Sequence, residues 1–181
     1  MSVDPESLQI FIYPHPSLRT KGQPVDPADE NVHAVARRML QLMHEADGVG
    51  LAAPQVGLAW RLFVTNGRDF DPEDRVFINP QLTPGRGEMV TEEEGCLSLP
   101  GIHVQVRRAD HVDITAHGLD GRPFSMSADG FLTRIWQHEN DHLDGILIID
   151  KMSPMDRLAT RKALKDLKTA ATAVATGRDV L

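Results

Sequence analysis

The stretch Phe131-Leu-Thr-Arg-Ile-Trp-Gln-His-Glu-Asn-Asp-His-Leu-Asp-Gly145 places two histidines and a glutamate at His-Glu-x-x-His spacing inside a helical pattern. A helix turns about 100° per residue, so side chains four apart lie on nearly the same face. His138 and His142 are therefore able to share one metal ion. Glu139 falls roughly 100° from His138, close enough to reach a water on that metal while staying outside its coordination shell, as a general base should. Phe131, Leu132, Ile135, Trp136 and Leu143 share this half-turn. Thr133, Arg134, Gln137, Asn140, Asp141 and Asp144 occupy the other half. The spacing predicts a helix beginning near Asp129-Gly130 whose ionisable site faces the interior, where it would be costly without a partner ion. A metal-dependent hydrolase is the class this pattern indicates.

At 181 residues the chain fits one domain over 1–181, long enough to bury a core without disulfides. Hydrophobic residues at 41% and charged residues at 25% are ordinary for a globular protein, and no apolar run is long enough to span a membrane. The N-terminus lacks a basic segment followed by an apolar one, so a cytoplasmic location is expected. A net charge of −7 argues against general nucleic-acid affinity. The charge is uneven, however: from Lys151 onward seven Lys or Arg stand against three Asp, leaving the remainder at −11.

Asp26-Pro27 reads as a helix N-cap followed by proline in the first turn, and Val32, Val35, Ala36, Met39, Leu40 and Met43 carry the helical spacing to about Ala46. The apolar, glycine-rich run from Gly48 to Gly57 reads as a packed loop. Strand-like runs follow at Arg61 to Thr65, Val76 to Asn79, Ile102 to Val106 and Val112 to Ala116. Asp120-Gly121 is a hairpin turn before a further strand at Pro123 to Met126. Ile146-Leu147-Ile148-Ile149 is strand-like, and Pro154 separates it from a C-terminal helix over about 155–175. The expected architecture is α+β: mixed or antiparallel sheet packed around a central helix that carries the His-Glu-x-x-His motif, with helices at the N- and C-terminal ends.

Cys96 is the only cysteine, so it is a buried small apolar residue, a free thiol, or a ligand or nucleophile. Its setting, Glu94-Gly95-Cys96-Leu97-Ser98, would let a loop or strand end hold its thiolate at a metal, completing a Cys-His-His site with an open fourth position. Three segments together resemble the peptide deformylase family: Gly48-Val-Gly-Leu-Ala-Ala-Pro-Gln55, Glu94-Gly-Cys-Leu-Ser98 and Gln137-His-Glu-Asn-Asp-His142. They stand in the family's order, and the resemblance runs from Leu18-Arg19 to Asp150 and Pro154. It implies an α+β fold and hydrolytic removal of the N-formyl group from the initiator methionine of nascent polypeptides.

By position, the resemblance makes Cys96, His138 and His142 the metal ligands and Glu139 the acid/base, with Gln55 and the Leu97 N–H binding the formyl oxygen. It also implies Fe(II), with zinc, nickel or cobalt as substitutes, although the helix motif alone points to zinc. A metal-bound water would attack the formyl carbon as Glu139 takes its proton. Gly50, Glu94 and Gly95 are expected on the substrate side, Gly50 by pairing with an extended peptide in strand fashion. A metalloprotease shares the helix motif but ordinarily takes a third His or Glu rather than Cys.

Glu92 and Glu93 read as a solvated face, while Glu94 should lie nearer the pocket with Arg107 or Arg108 as partner. His15, His33, His44, His103, His111 and His117 have no ligand spacing and read as surface or core residues. Arg157, Arg161, Lys165 and Lys168 form a basic stripe on the C-terminal helix. In the family's bacterial members this helix is implicated in ribosome docking, so the stripe is the expected ribosome contact. A monomer is expected.

Overall fold

A computed structural model describes residues 2–83 and 87–175. Helix α1 (Glu30–Glu45) buries Val32, Val35, Ala36, Met39, Leu42 and Met43 along one stripe. It starts three residues later than its apparent N-cap. The Asp29 side chain accepts from Asn31 N–H, whereas that of Asp26 accepts from Ala28 N–H and closes a preceding turn. Two Asp side chains three apart are both competent caps, and the one before the apolar stripe wins.

The run after α1 is more than a loop. Gly50–Ala52 forms strand β1, and Ala53–Val56 a 3-10 turn closed by left-handed Gly57. The remaining strands are β2 (Leu62–Thr65), β3 (Arg75–Thr83), β4 (Met89–Glu94), β5 (Val104–Ala109), β6 (His111–His117) and β7 (Pro123–Asp129). All named pairings are antiparallel: a five-stranded sheet in the order β1-β2-β3-β6-β7 and a separate β4-β5 ribbon. The turn after β6 carries Gly121 at φ 73°, the left-handed position that the Asp-Gly pair predicts.

Helix α2 (Phe131–Leu143) lies between the two sheets. Trp136 and Leu143 pack on Phe63, Phe77, Ile114 and Ala116, while α1 covers the sheet through a second cluster with Leu51, Leu62, Val64 and Ile78. α2 ends in a paired-hydrogen-bond stop, Ile146 N–H to Asp141 O and Gly145 N–H to His142 O, with Gly145 at φ 72°. A Cβ at Gly145 would meet the Arg19 carbonyl oxygen at 2.8 Å, so the turn is wedged against the N-terminal segment.

The apolar run Ile146 to Ile149 is not a strand. Ile148–Lys151 forms the short helix α3, with the Asp150 carboxylate accepting from Leu147 N–H at 2.8 Å. Four consecutive apolar residues fit either a buried strand or a buried turn of helix, and the cap decides. Leu147, Ile148, Ile149 and Met152 complete a third cluster with Leu18, Leu99, Ile102, Val104 and Val106. The C-terminal helix is divided into α4 (Pro154–Ala159) and α5 (Arg161–Ala175). Among the described residues no helix is long and apolar enough to cross a membrane. Arg178 and Asp179 of the charged tail lie outside them.

Candidate active site

Strand β4 ends at Glu94, and the chain turns through Gly95 and Cys96 in front of the central turns of α2. Cys96, His138 and His142 each offer one ligand atom, and these three lie within 4.8 Å of one another. Cys96 Sγ is 3.3 Å from His142 Nε2, and the two imidazole centroids are 5.0 Å apart at 70°. His138 Nδ1 donates to Glu94 Oε2 at 3.0 Å, so its Nε2 is the nitrogen left for the site. His142 Nδ1 and Glu139 Oε2 are buried and have no hydrogen-bond partner among the described residues. One thiol and two imidazoles beside a buried, unpartnered carboxylate oxygen fit a borderline divalent cation with an open coordination position.

A cavity of about 350 Å³ opens on this cluster, with Gly48, Gly50, Leu97, Phe131, Ile135 and Glu139 in its wall. A Cβ at Gly50 would collide with Glu139 Oε1, so any side chain there would have to displace the carboxylate. Gln55, 1% exposed, accepts from Ala52 N–H through Oε1 at 2.8 Å, which fixes the orientation of its amide. Its NH₂ therefore faces Cys96 Sγ at 3.6 Å and donates to Ser98 Oγ at 3.1 Å. Gly95 also lines the cavity, with His103 packed so closely that a Cβ would lie 3.1 Å from its ring. His103 is thus a pocket residue that stands outside the Cys96-His138-His142 group.

Glu94 is the hub of a buried ionic network. Arg108 grips it in a fork, Nε to Oε1 at 2.5 Å and Nη2 to Oε2 at 2.8 Å, and reaches Asp141 through Nη1 at 2.7 Å. Of the two arginines expected as partners, the strand period selects Arg108: in β5, Val104, Val106 and Arg108 face inward while Gln105 and Arg107 face out. Arg134 adds a third contact, Nη1 to Glu94 Oε1 at 2.7 Å, and spends its other donors on Glu92, the Val106 carbonyl and the Val90 carbonyl.

This corrects the helical-wheel division, which set Arg134 and Thr133 on the polar half. Arg134 is 7% exposed, and Thr133 is fully buried with its hydroxyl donating to backbone carbonyls. The β4-β5 ribbon covers that half of α2 and supplies partners that a helix read alone cannot show. Glu92 is likewise not merely solvated, since it accepts from Arg134 at 2.9 Å.

Electrostatics follow from these contacts. Burial works against the Glu94 carboxylate, yet hydrogen bonds from Arg108 and His138 hold it well below the usual carboxylate range. Burial also opposes the His138 cation, but contacts with Cys96 and Glu94 outweigh it and carry the imidazole up to about 10. A cation held by His138 would therefore compete with a proton on that ring. Glu139 is pushed up to about 7 by burial, against the pull of His138 and Arg108. That places it near neutrality, where one group both accepts and donates a proton efficiently. Burial and the neighbouring His138 charge push His142 down, leaving a neutral ring with a lone pair to offer.

Comparison with known proteins agrees with this arrangement. The family model for polypeptide deformylase matches residues 7–158. The peptide deformylase of Chromohalobacter salexigens is 41% identical over 150 residues, covering 83% of this chain and 88% of the relative. That of Thermodesulfovibrio yellowstonii is 40% identical over 163 residues, covering 89% and 98%. Among solved structures, a plant peptide deformylase superposes with a TM-score of 0.87 at 38% identity, covering 94% of each chain. The Thermotoga maritima peptide deformylase gives 0.76 at 38% identity, covering 81% of this chain and 98% of that one. A family model spanning most of the chain, near-full-length relatives and a shared three-dimensional architecture together show that the chain belongs to the peptide deformylase family.

Proposed function

We propose that this enzyme removes the formyl group from the N-terminal formyl-methionine of nascent polypeptides, with Cys96, His138 and His142 holding one divalent cation and Glu139 as acid/base. The observation that carries this reading is the convergence of three ligand atoms within 4.8 Å in a cavity that also presents Glu139 and the Gln55 carboxamide. When bound, the cation supplies Lewis acidity, and family resemblance favours Fe(II), with zinc, nickel or cobalt able to substitute.

The chain's own residues account for the remaining steps. Glu139, held near neutrality by burial, takes the proton of the attacking water and returns it to the leaving amine as formate departs. The Gln55 NH₂, whose orientation is set by Ala52 N–H, and the Leu97 N–H donate to the oxygen that gains charge at the tetrahedral stage. Gln55 does so without a charge that would compete for Glu139. Glu94 fixes the His138 tautomer through Nδ1. β1 is the edge strand of its sheet, so the Gly50 backbone is available to pair with an extended peptide.

The test is formate release from a formyl-Met tripeptide by protein prepared anaerobically with Fe(II), beside Glu139→Ala. We expect turnover by the parent and a loss of roughly 10²–10⁴-fold in the variant with metal retained. Absence of formate despite one bound metal per chain would overturn the reading.

We assign the enzyme to the cytoplasm as a monomer that docks on the ribosome through its basic C-terminal stripe. Arg157 on α4 and Arg161, Lys165 and Lys168 on α5 are all exposed, which leaves four positive side chains at the surface for RNA phosphates. Reversing the charge of Arg157, Arg161 and Lys165 should abolish ribosome co-sedimentation at low salt, and unchanged co-sedimentation would refute the docking.

A further inference from the structure

Ser98 is fully buried and takes no part in the cavity wall to which Gln55, Cys96 and Leu97 belong. Its Oγ accepts from Gln55 Nε2 at 3.1 Å. A side-chain amide carries two hydrogens on that nitrogen, both fixed in the plane of the group. One is spent on Ser98, and the other is directed to the side of Cys96, whose Sγ lies 3.6 Å from the same nitrogen. A serine hydroxyl could equally donate to an amide oxygen, but Ala52 N–H has already claimed Oε1. Ala52 thus decides which end of the amide meets Ser98, and Ser98 decides where the second hydrogen points.

Ser98 is held in turn by the N-terminal segment. Phe11 N–H donates to the Gln55 carbonyl at 2.8 Å, and Tyr13 N–H to the Ser98 carbonyl at 2.9 Å. Donors two residues apart on one short stretch therefore tie the Gln55 turn to the Ser98 loop. Both ends of that stretch are packed. Phe11 stacks on His15 at 3.9 Å between centroids, and a Cβ at Gly57 would lie 2.8 Å from the Phe11 ring. Tyr13 joins the cluster of Leu18, Leu99 and Ile102 on which Leu164 and Leu167 of α5 also pack, with Lys168 Nζ 5.7 Å from its ring centroid. The separation of Gln55 and Ser98 is thus set by backbone contacts outside the cavity.

We propose that Ser98 is a positioning residue for the reaction: its hydroxyl aims the second Gln55 hydrogen at the oxygen that gains charge, a role that rests on the deformylase reading. A donor fixed before charge develops stabilises that charge without reorganising, and the advantage is lost when the donor can swing. Ser98 stands outside the Cys96-His138-His142 group and acts through Gln55. Ser98→Ala leaves the amide pinned at Oε1 only, free to turn about that single contact.

The experiment is a double-mutant cycle on formate release from a formyl-Met tripeptide by Fe(II)-loaded protein. The parent, Ser98→Ala, Gln55→Ala and the combined variant are compared, each with its metal content and circular dichroism measured. Ser98→Ala should lower kcat about tenfold and leave KM within about twofold, because a misaimed donor matters more to the transition state than to the ground state. Gln55→Ala should cost roughly 10²–10³-fold, and adding Ser98→Ala to it should cost nothing further. Full activity of Ser98→Ala, a loss through KM alone, or a tenfold loss that persists in the Gln55→Ala background would overturn the assignment. Loss of metal or of the folded signal in Ser98→Ala would overturn it too, by showing that the hydroxyl serves the structure. No formate from the metal-loaded parent would defeat the deformylase reading and this inference with it, whereas an active parent with an additive cycle would defeat the role of Ser98 alone.

Discussion

His138 and His142 stand one turn apart on α2, yet the outer nitrogens of their rings meet opposite surroundings. His138 Nδ1 donates to Glu94, which Arg108 and Arg134 hold in turn, whereas His142 Nδ1 is buried without a hydrogen-bond partner among the described residues. One ring is aimed by a chain of charges from the β4-β5 ribbon; the other is placed by packing and by its neighbour Cys96. The ionic side gives little net stability, because desolvating its groups offsets their attraction. Its value is geometric: it sets one tautomer and one orientation of the His138 ring. Opening it leaves charges stranded, whereas the packed side tolerates changes that keep its volume.

Breaking the ionic side at its centre should have the largest effect. Arg108→Ala leaves Glu94 and Asp141 underpaired in the interior and should destabilise the fold by about 3–5 kcal/mol in chemical denaturation. A loss below about 1 kcal/mol would mean that Arg134 on Glu94 and Lys151, whose Nζ lies 2.6 Å from Asp141 Oδ2, suffice to hold those carboxylates. On the other side of the site, Gly50→Ala should displace Glu139 and lower formate release on the order of a hundredfold while metal content stays near one per chain. Full activity there would mean that β1 gives way at no cost.

Glu94→Gln keeps the size of the side chain but removes the charge that orients His138. Metal affinity should weaken by roughly 10–100-fold in competition with a chelator, and unchanged affinity would show that packing aims both rings. A pH series sharpens the same contrast. With His138 raised to about 10, its proton competes with the cation across the neutral range. Metal affinity should fall about tenfold per pH unit from this site as pH drops from roughly 9 to 7.

A last effect concerns the stability of the metal-free protein. Glu139 moves from 4.5 to about 7 on folding, so between those values the native state holds a proton that the unfolded chain releases. This stabilising contribution is complete below about 4.5 and is lost as pH rises through about 7. Thermal melts of the parent should therefore lose stability relative to Glu139→Gln across that window. Parallel curves would show that Glu139 ionises freely in the cavity.

Much of the site is legible from local pattern. His-Glu-x-x-His on a helix carries its geometry in its spacing, whereas Cys96 is joined to it through the resemblance of Glu94-Gly-Cys-Leu-Ser98 to the family's motif. What the local reading misplaces are residues whose role is set by a second element. Arg134 looks outward on a helical wheel because the wheel contains no ribbon. Arg108 and Arg107 look alike until the strand period is extended two residues past Val106, which puts Arg108 on the face of Val104 and Val106. Ile146 to Ile149 satisfies two templates at once, and the Asp150 cap three residues after Leu147 chooses between them.

By itself the sequence determined the helix that carries the His-Glu-x-x-His motif and the family, because four-residue spacing on a helix and short glycine-bounded motifs encode local geometry. Tertiary structure alone decided which arginines neutralise Glu94 and which way the Gln55 amide faces. Those choices depend on desolvation and on distances between segments far apart in the chain. Neither quantity exists until β4-β5, β1 and α2 have packed together.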